Sequence, residues 1–225
     1  SGDQVVISAP AAASDLVVAL HEECADRGAH PVSLDSDSRA SRAFLRNHDG
    51  DFETPEHLLA MYEAMDAYIA VRGDVNATET ADVDPERNAA YRRAMKPVLE
   101  ERLSKTWCLT QYPTSGNAQL AGMSTEGYEN FVWDAVGLDW EEQREHQAQM
   151  VEILDGADEV RIRSGEETDV TMRIAGNTTL NDYGEKNLPG GEVFTAPVRT
   201  EVDGEVHFDM PLYRQGREIE DVRVR

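Results

Sequence analysis

Short apolar runs bounded by turn residues alternate with longer stretches of helical periodicity through the first two thirds of the chain. Gln4 to Ala9 is the first such run. Pro10, Ser14 and Asp15 then open a stretch from Leu16 to Arg27 whose apolar residues recur at helical spacing, with Gly28 as its stop. Pro31 to Leu34 predicts a second strand and Arg39 to Asn47 a helix. Thr54-Pro55-Glu56 starts another helix, with Leu58, Leu59, Met61, Tyr62 and Met65 as its apolar stripe. Asp66 to Val71 and Thr106 to Gln111 predict the third and fourth strands. Between them Asp84-Pro85-Glu86 opens a long helix to about Ser104, which Pro97 should kink or split. Thr114 to Leu154 reads as helical, with Met123-Ser124-Thr125-Glu126 as a capping-box pattern and Asp139 opening the last helix.

Beyond Asp158 the rhythm changes to period two. Val160-Arg161-Ile162-Arg163, Val170 to Ile174, Val206-His207-Phe208 and Val222-Arg223-Val224 alternate, punctuated by Gly165, Gly176, Gly184, Gly204 and Gly216. Strand, helix, strand, helix with short apolar strands predicts an α/β fold, a doubly wound and mainly parallel sheet flanked by helices. The division falls near residue 156, with 1–156 as an α/β N-terminal domain and 157–225 as the β-rich start of a second domain. That second unit ends on a strand and reads as the opening of something longer.

Charge narrows the range of partners. The 225 residues carry a net charge of −23, from 44 acidic against 21 basic side chains. Lysine occurs only at Lys96, Lys105 and Lys186. An acidic, lysine-poor surface fits a halophilic source, because salt shortens the reach of carboxylate repulsion. Molar salt is therefore expected to raise the unfolding midpoint relative to dilute buffer; a midpoint that falls with salt would contradict this. The same charge repels a phosphate backbone, which argues against nucleic acid as a partner. No run of about 18 apolar residues is present for a membrane span, and Ser1-Gly2-Asp3-Gln4 lacks the features of a signal peptide, so the expected location is cytoplasmic. Cys24 and Cys108 have no metal-type spacing and read as buried thiols.

Several chemistries lack their motifs. Neither G-x-G-x-x-G nor a P-loop occurs, and the first strand runs into Ala9-Pro10-Ala11-Ala12 rather than a glycine loop. No G-x-S-x-G marks a serine hydrolase. His21, His30, His48, His57, His146 and His207 are scattered without a pair at i, i+4, so a metal site built wholly within the chain finds no support. Pairs such as Glu22-Glu23, Glu141-Glu142 and Glu166-Glu167 read as solvated faces. One carboxylate differs from these. Asn187-Leu188-Pro189-Gly190-Gly191-Glu192-Val193-Phe194-Thr195-Ala196-Pro197 places Glu192 directly after a Pro-Gly-Gly turn and at the start of a β-prone segment, which fixes its direction.

That stretch resembles the signature of the thermophilic-aminopeptidase family of metallopeptidases, of the aminopeptidase T and aminopeptidase S type. Two further blocks carry the resemblance: Gly2 to Pro10, similar to the family's first strand, and Thr110-Gln111-Tyr112-Pro113-Thr114 with Ala121 to Ser124 and Tyr128 to Phe131. The third block extends from Asp169 and Ile174-Ala175-Gly176 through the signature to Gly204-Glu205-Val206-His207-Phe208-Asp209 and Tyr213-Arg214-Gln215-Gly216. The resemblance implies a metal-dependent aminopeptidase that removes N-terminal residues from peptides with two divalent ions of the zinc or cobalt type, Glu192 being one metal ligand. It also implies peptide substrates and a homodimer. The family's other ligands, its general-base Glu and its Tyr come from a stretch that would follow Arg225, so the chain reads as an N-terminal part that is inactive alone. The alternative is a non-catalytic α/β module serving dimerisation or substrate gating.

Overall fold

The computed structural model describes residues 2–214 and 217–225. Gln215 and Gly216 of the third block lie outside the described residues. Contacts group Ser1–Leu138 with Glu185–Pro189, and Asp139–Gly184 with Gly190–Arg225.

The first unit is built on a parallel sheet. β1 (Gln4–Ala9) is followed by α1 (Ser14–Asp26) and β2 (His30–Asp35), and then by α2 (Ser38–Asn47), α3 (Glu56–Ala64) and β3 (Ala67–Arg72). β1 lies between β2 and β3, with Val6 opposite Val32 on one side and Tyr68 on the other. After α4 (Pro85–Ala94) and α5 (Lys96–Ser104), β4 (Thr106–Gln111) extends the sheet beyond β3. The segment Asn187–Leu188 then pairs parallel to β4. α6 (Ser115–Leu120) and α7 (Thr125–Val136) complete the unit.

Alternation along β3 explains why helices cover both faces. Tyr68 and Ala70 enter a cluster with Val6, Tyr62, Met65 and Val98, into which Leu58, Leu59 and Met61 of α3 also pack. Val71 and Ile69, on the opposite face, pack with Ala9, Ala13 and Leu16, Val17 and Leu20 of α1. The doubly wound arrangement expected from the pattern is present. Its centre is apolar, with Ile7 fully buried and Val6 at 2% exposure.

The long helix does split, as Pro97 requires. α4 ends at Ala94, Met95 forms the joint, and Pro97 sits in the first turn of α5, where its missing N–H costs nothing. The caps are side-chain oxygens: Asp84 accepts from Glu86 N–H, Thr114 from Asn117 N–H, and Asp139 from Glu141 and Glu142 N–H. The capping-box reading at Ser124 needs correction. Ser124 Oγ accepts from Gly127 N–H, but the third residue on is a glycine, so no Glu returns the bond.

The second unit opens with α8 (Trp140–Asp155). β5 (Glu159–Ser164), β6 (Thr168–Arg173), β10 (Val202–Phe208) and β13 (Val222–Val224) form an antiparallel sheet in the order β13-β10-β6-β5. β7 (Leu180–Asp182) pairs with β9 (Glu192–Phe194), and β11 (Leu212–Arg214) with β12 (Arg217–Ile219); β8 is the Asn187–Leu188 segment of the first unit. By contacts the division falls after Leu138, whereas periodicity placed it near residue 156. α8 groups with β7 and β9, where its Gln147 is hydrogen-bonded, while residues 185–189 leave for the parallel sheet beside β4. Neither preference is visible in local periodicity. Cys24 and Cys108 are half-buried and form no disulfide. Among the described residues no helix is long and apolar enough to cross a membrane.

Candidate metal centre

The turn ahead of Glu192 is set by backbone crowding. A Cβ on Gly190 would lie 2.6 Å from the Gly184 nitrogen, 2.9 Å from Asp182 Oδ1 and 3.0 Å from the Asp182 carbonyl, so only glycine fits. Gly191, at φ +100°, donates its N–H to the Asp182 carbonyl at 2.7 Å. The chain then enters β9 in fixed register, Glu192 opposite Asp182 and Phe194 opposite Leu180.

A single glutamine of α8 locks this hairpin. Gln147, 7% exposed, directs Nε2 at Asn181 Oδ1 (3.0 Å), the Asp182 carbonyl (3.2 Å) and the Glu192 carbonyl (2.9 Å). Three oxygen acceptors fix the amide orientation, and two hydrogens must be shared among them. Its Oε1 is buried without a hydrogen-bond partner. Asn181 also donates to the Arg144 carbonyl at 3.1 Å, which places its side chain on the α8 side of the hairpin.

Side chains alternate along a strand, so Asp182 and Glu192, one position on from Asn181 and one before Val193, project from the other face. Directly opposed residues place their Cβ atoms about 4.5–5.5 Å apart. Glu192 thus has a carboxylate neighbour that the sequence pattern did not single out, because Leu180-Asn181-Asp182 is too short to read as a strand. The two differ in setting. Asp182 is 9% exposed and accepts from Gly184 N–H at 3.2 Å, whereas Glu192 is exposed. The Glu192 carboxylate makes no hydrogen bond or ion pair among the described residues, leaving its oxygens available. Carboxylate oxygen is a suitable donor to a divalent ion. Among the described residues, no three His, Cys, Asp or Glu side chains converge as a metal site, so Glu192 fits as a member of a ligand set and not as the whole of one.

Several described residues of the other blocks make contacts within the fold. Tyr112 meets Trp133 edge to face at 5.8 Å, Thr114 Oγ1 donates to the Asp74 carbonyl at 2.6 Å, and Gln111 donates to the Tyr128 hydroxyl at 2.8 Å. His207 contacts carboxylates on both ring nitrogens, Glu167 at 2.7 Å and Asp221 at 2.6 Å. Arg223 also pairs with Glu167, so these side chains tie β10 to β13. In the same sheet Arg225 hydrogen-bonds Glu205 and holds its carboxyl below the usual range.

A profile of the thermophilic metalloprotease (M29) family matches residues 1–225. The sequence is 27% identical to aminopeptidase T of Thermus thermophilus over 264 residues, covering 100% of this chain and 64% of that protein. The solved structure of wild-type AmpT from Thermus thermophilus superposes with a TM-score of 0.79 at 25% identity, again over 100% of this chain and 64% of the other. The chain thus spans somewhat under two thirds of the relative it matches.

Proposed function

The chain belongs to the thermophilic metalloprotease (M29) family, and from that premise we propose that it forms part of a metal-dependent aminopeptidase acting on the N-termini of peptides, with Glu192 as one metal ligand. The observation that carries the reading is the locked Pro-Gly-Gly-Glu turn, which delivers an exposed, unpaired carboxylate from a register fixed by Gln147 and Gly190. The relative named aminopeptidase T supports the peptide-end specificity.

In this reading Glu192 supplies a hard, anionic oxygen. Asp182, held by the turn, adds negative charge beside it that favours a divalent cation over a neutral ligand. The family is one of metalloproteases, and we propose two ions of the zinc or cobalt type; when bound, such a pair activates water and polarises the scissile carbonyl. The protein's part is to keep Glu192 in place without reorganisation. A homodimer is the assembly we propose for the whole enzyme.

Calorimetric titration of Zn²⁺ or Co²⁺ into the full-length protein that contains these residues and into its Glu192→Gln variant tests the ligand role. Loss of a ligand oxygen is expected to weaken the first binding event at least about tenfold, on the scale of lost metal-site contacts. Equal heats would contradict it and favour the non-catalytic module. One carboxylate is too few for a four-coordinate ion, so the 225 residues alone are expected to release no product from a leucine chromogenic amide in the presence of either metal.

A further inference from the structure

The parallel sheet of the first unit has the strand order β2-β1-β3-β4, which reverses direction between β1 and β3. Crevices outside the carboxyl ends of strands at such a switch point are where open α/β sheets take ligands. A cavity of about 600 Å³ opens at this place, lined by the segments that leave β1, β2 and β3. Its size is typical of a small-molecule pocket, which runs to roughly 300–1,000 Å³. The loop after β3 that forms one wall is pinned. Thr114 Oγ1 donates to the Asp74 carbonyl at 2.6 Å, and Gly116 approaches so closely that a Cβ there would lie 2.3 Å from the Val75 carbonyl.

The lining carries charges of both signs. Several arginines elsewhere, such as Arg42, Arg161 and Arg223, are paired with carboxylates. Arg39 and Arg72 line the cavity, and their guanidinium groups make no ion pair or hydrogen bond among the described residues. Arg102, over the Tyr68 ring at 5.2 Å, lines it too, with a buried Nε lacking a hydrogen-bond partner. Four carboxylates line the same space: Asp37 accepts from Arg39 N–H and Glu79 from the Asn76 amide, while Asp35 and Asp74 make no side-chain ion pair among the described residues. A phosphate dianion would meet these carboxylates, and a simple cation would meet the guanidiniums. A molecule carrying both signs a few bonds apart satisfies both sets, while Ala11, Val75 and Leu109 offer apolar surface to a side chain.

We propose that this cavity binds a small zwitterion of the α-amino acid class, with its carboxylate on the arginines and its ammonium on Asp35 and Asp74. The proposal involves neither Glu192 nor a metal, and it stands whether or not the metal-ligand reading does.

Calorimetry on the chain in EDTA, with L-leucine as probe, tests it. Saturable binding is expected, and N-acetyl-L-leucine, L-leucinamide and inorganic phosphate should each bind at least about tenfold more weakly. Arg72→Gln is expected to weaken leucine at least about tenfold, and Glu192→Gln to leave it unchanged. No saturable leucine heat, phosphate or a singly charged analogue binding as tightly as leucine, or full affinity in folded Arg72→Gln would each overturn the proposal. Should Arg72→Gln fail to fold, Asp74→Asn reads the ammonium arm: a loss supports the site and unchanged affinity refutes it.

Discussion

Alanine at position 204 is expected to destabilise the chain by about 3–5 kcal/mol, the upper end of what one methyl group can do. Gly204 lies within β10, paired with Val170 of β6, at φ +119°. A Cβ there would fall 2.2 Å from the Asp169 carbonyl and 2.9 Å from Val170 Cα. Both are backbone atoms of the neighbouring strand, so the methyl group fits only if the β10–β6 ladder parts. The neighbours resist that movement. Val170 is 4% exposed, and Asp169 is held by two bonds from Arg161, at 2.7 and 2.6 Å, which keep its carboxyl below the usual range. Urea unfolding is the measurement: the midpoint should fall with little change in slope, and an unchanged midpoint would contradict this packing.

Gly190→Ala is expected to cost about 2–4 kcal/mol and to disturb the candidate metal site as well. The added methyl meets Gly184 nitrogen, Asp182 Oδ1 and the Asp182 carbonyl, all within 3.0 Å. Relief requires the turn to open, which breaks the bond from Gly191 N–H to the Asp182 carbonyl and shifts Glu192 from its place opposite Asp182. Stability and metal affinity should fall together in this variant, whereas Glu192→Gln should lower affinity alone. An alanine variant with parental stability and metal binding would contradict the crowding argument.

What the sequence made legible followed from local rules. Strand β4 was readable to the residue because Thr106 to Gln111 is bounded by helix-ending and turn residues, and the break at Pro97 follows from proline geometry. Glu192 stood out because Pro-Gly-Gly is strong punctuation. The grouping of α8 is not legible in the sequence because nothing in the periodicity of Trp140–Asp155 says which unit the helix joins; that depends on Gln147 meeting oxygens 34 to 45 residues away. Asp182 was missed for a related reason. A three-residue strand has no readable alternation, and its importance arises only from its register with β9. The cavity at the β1/β3 switch was invisible as a motif, since its arginines come from three separate elements, Arg39 from α2, Arg72 from β3 and Arg102 from α5.

The central claim, that Glu192 is a metal ligand, is tested most directly by anomalous diffraction from zinc in a crystal of the full-length protein that contains these residues. The expected result is a zinc peak with a Glu192 carboxylate oxygen at about 2.0–2.2 Å, the normal zinc–carboxylate distance. Zinc bound with Glu192 outside its coordination sphere would contradict it.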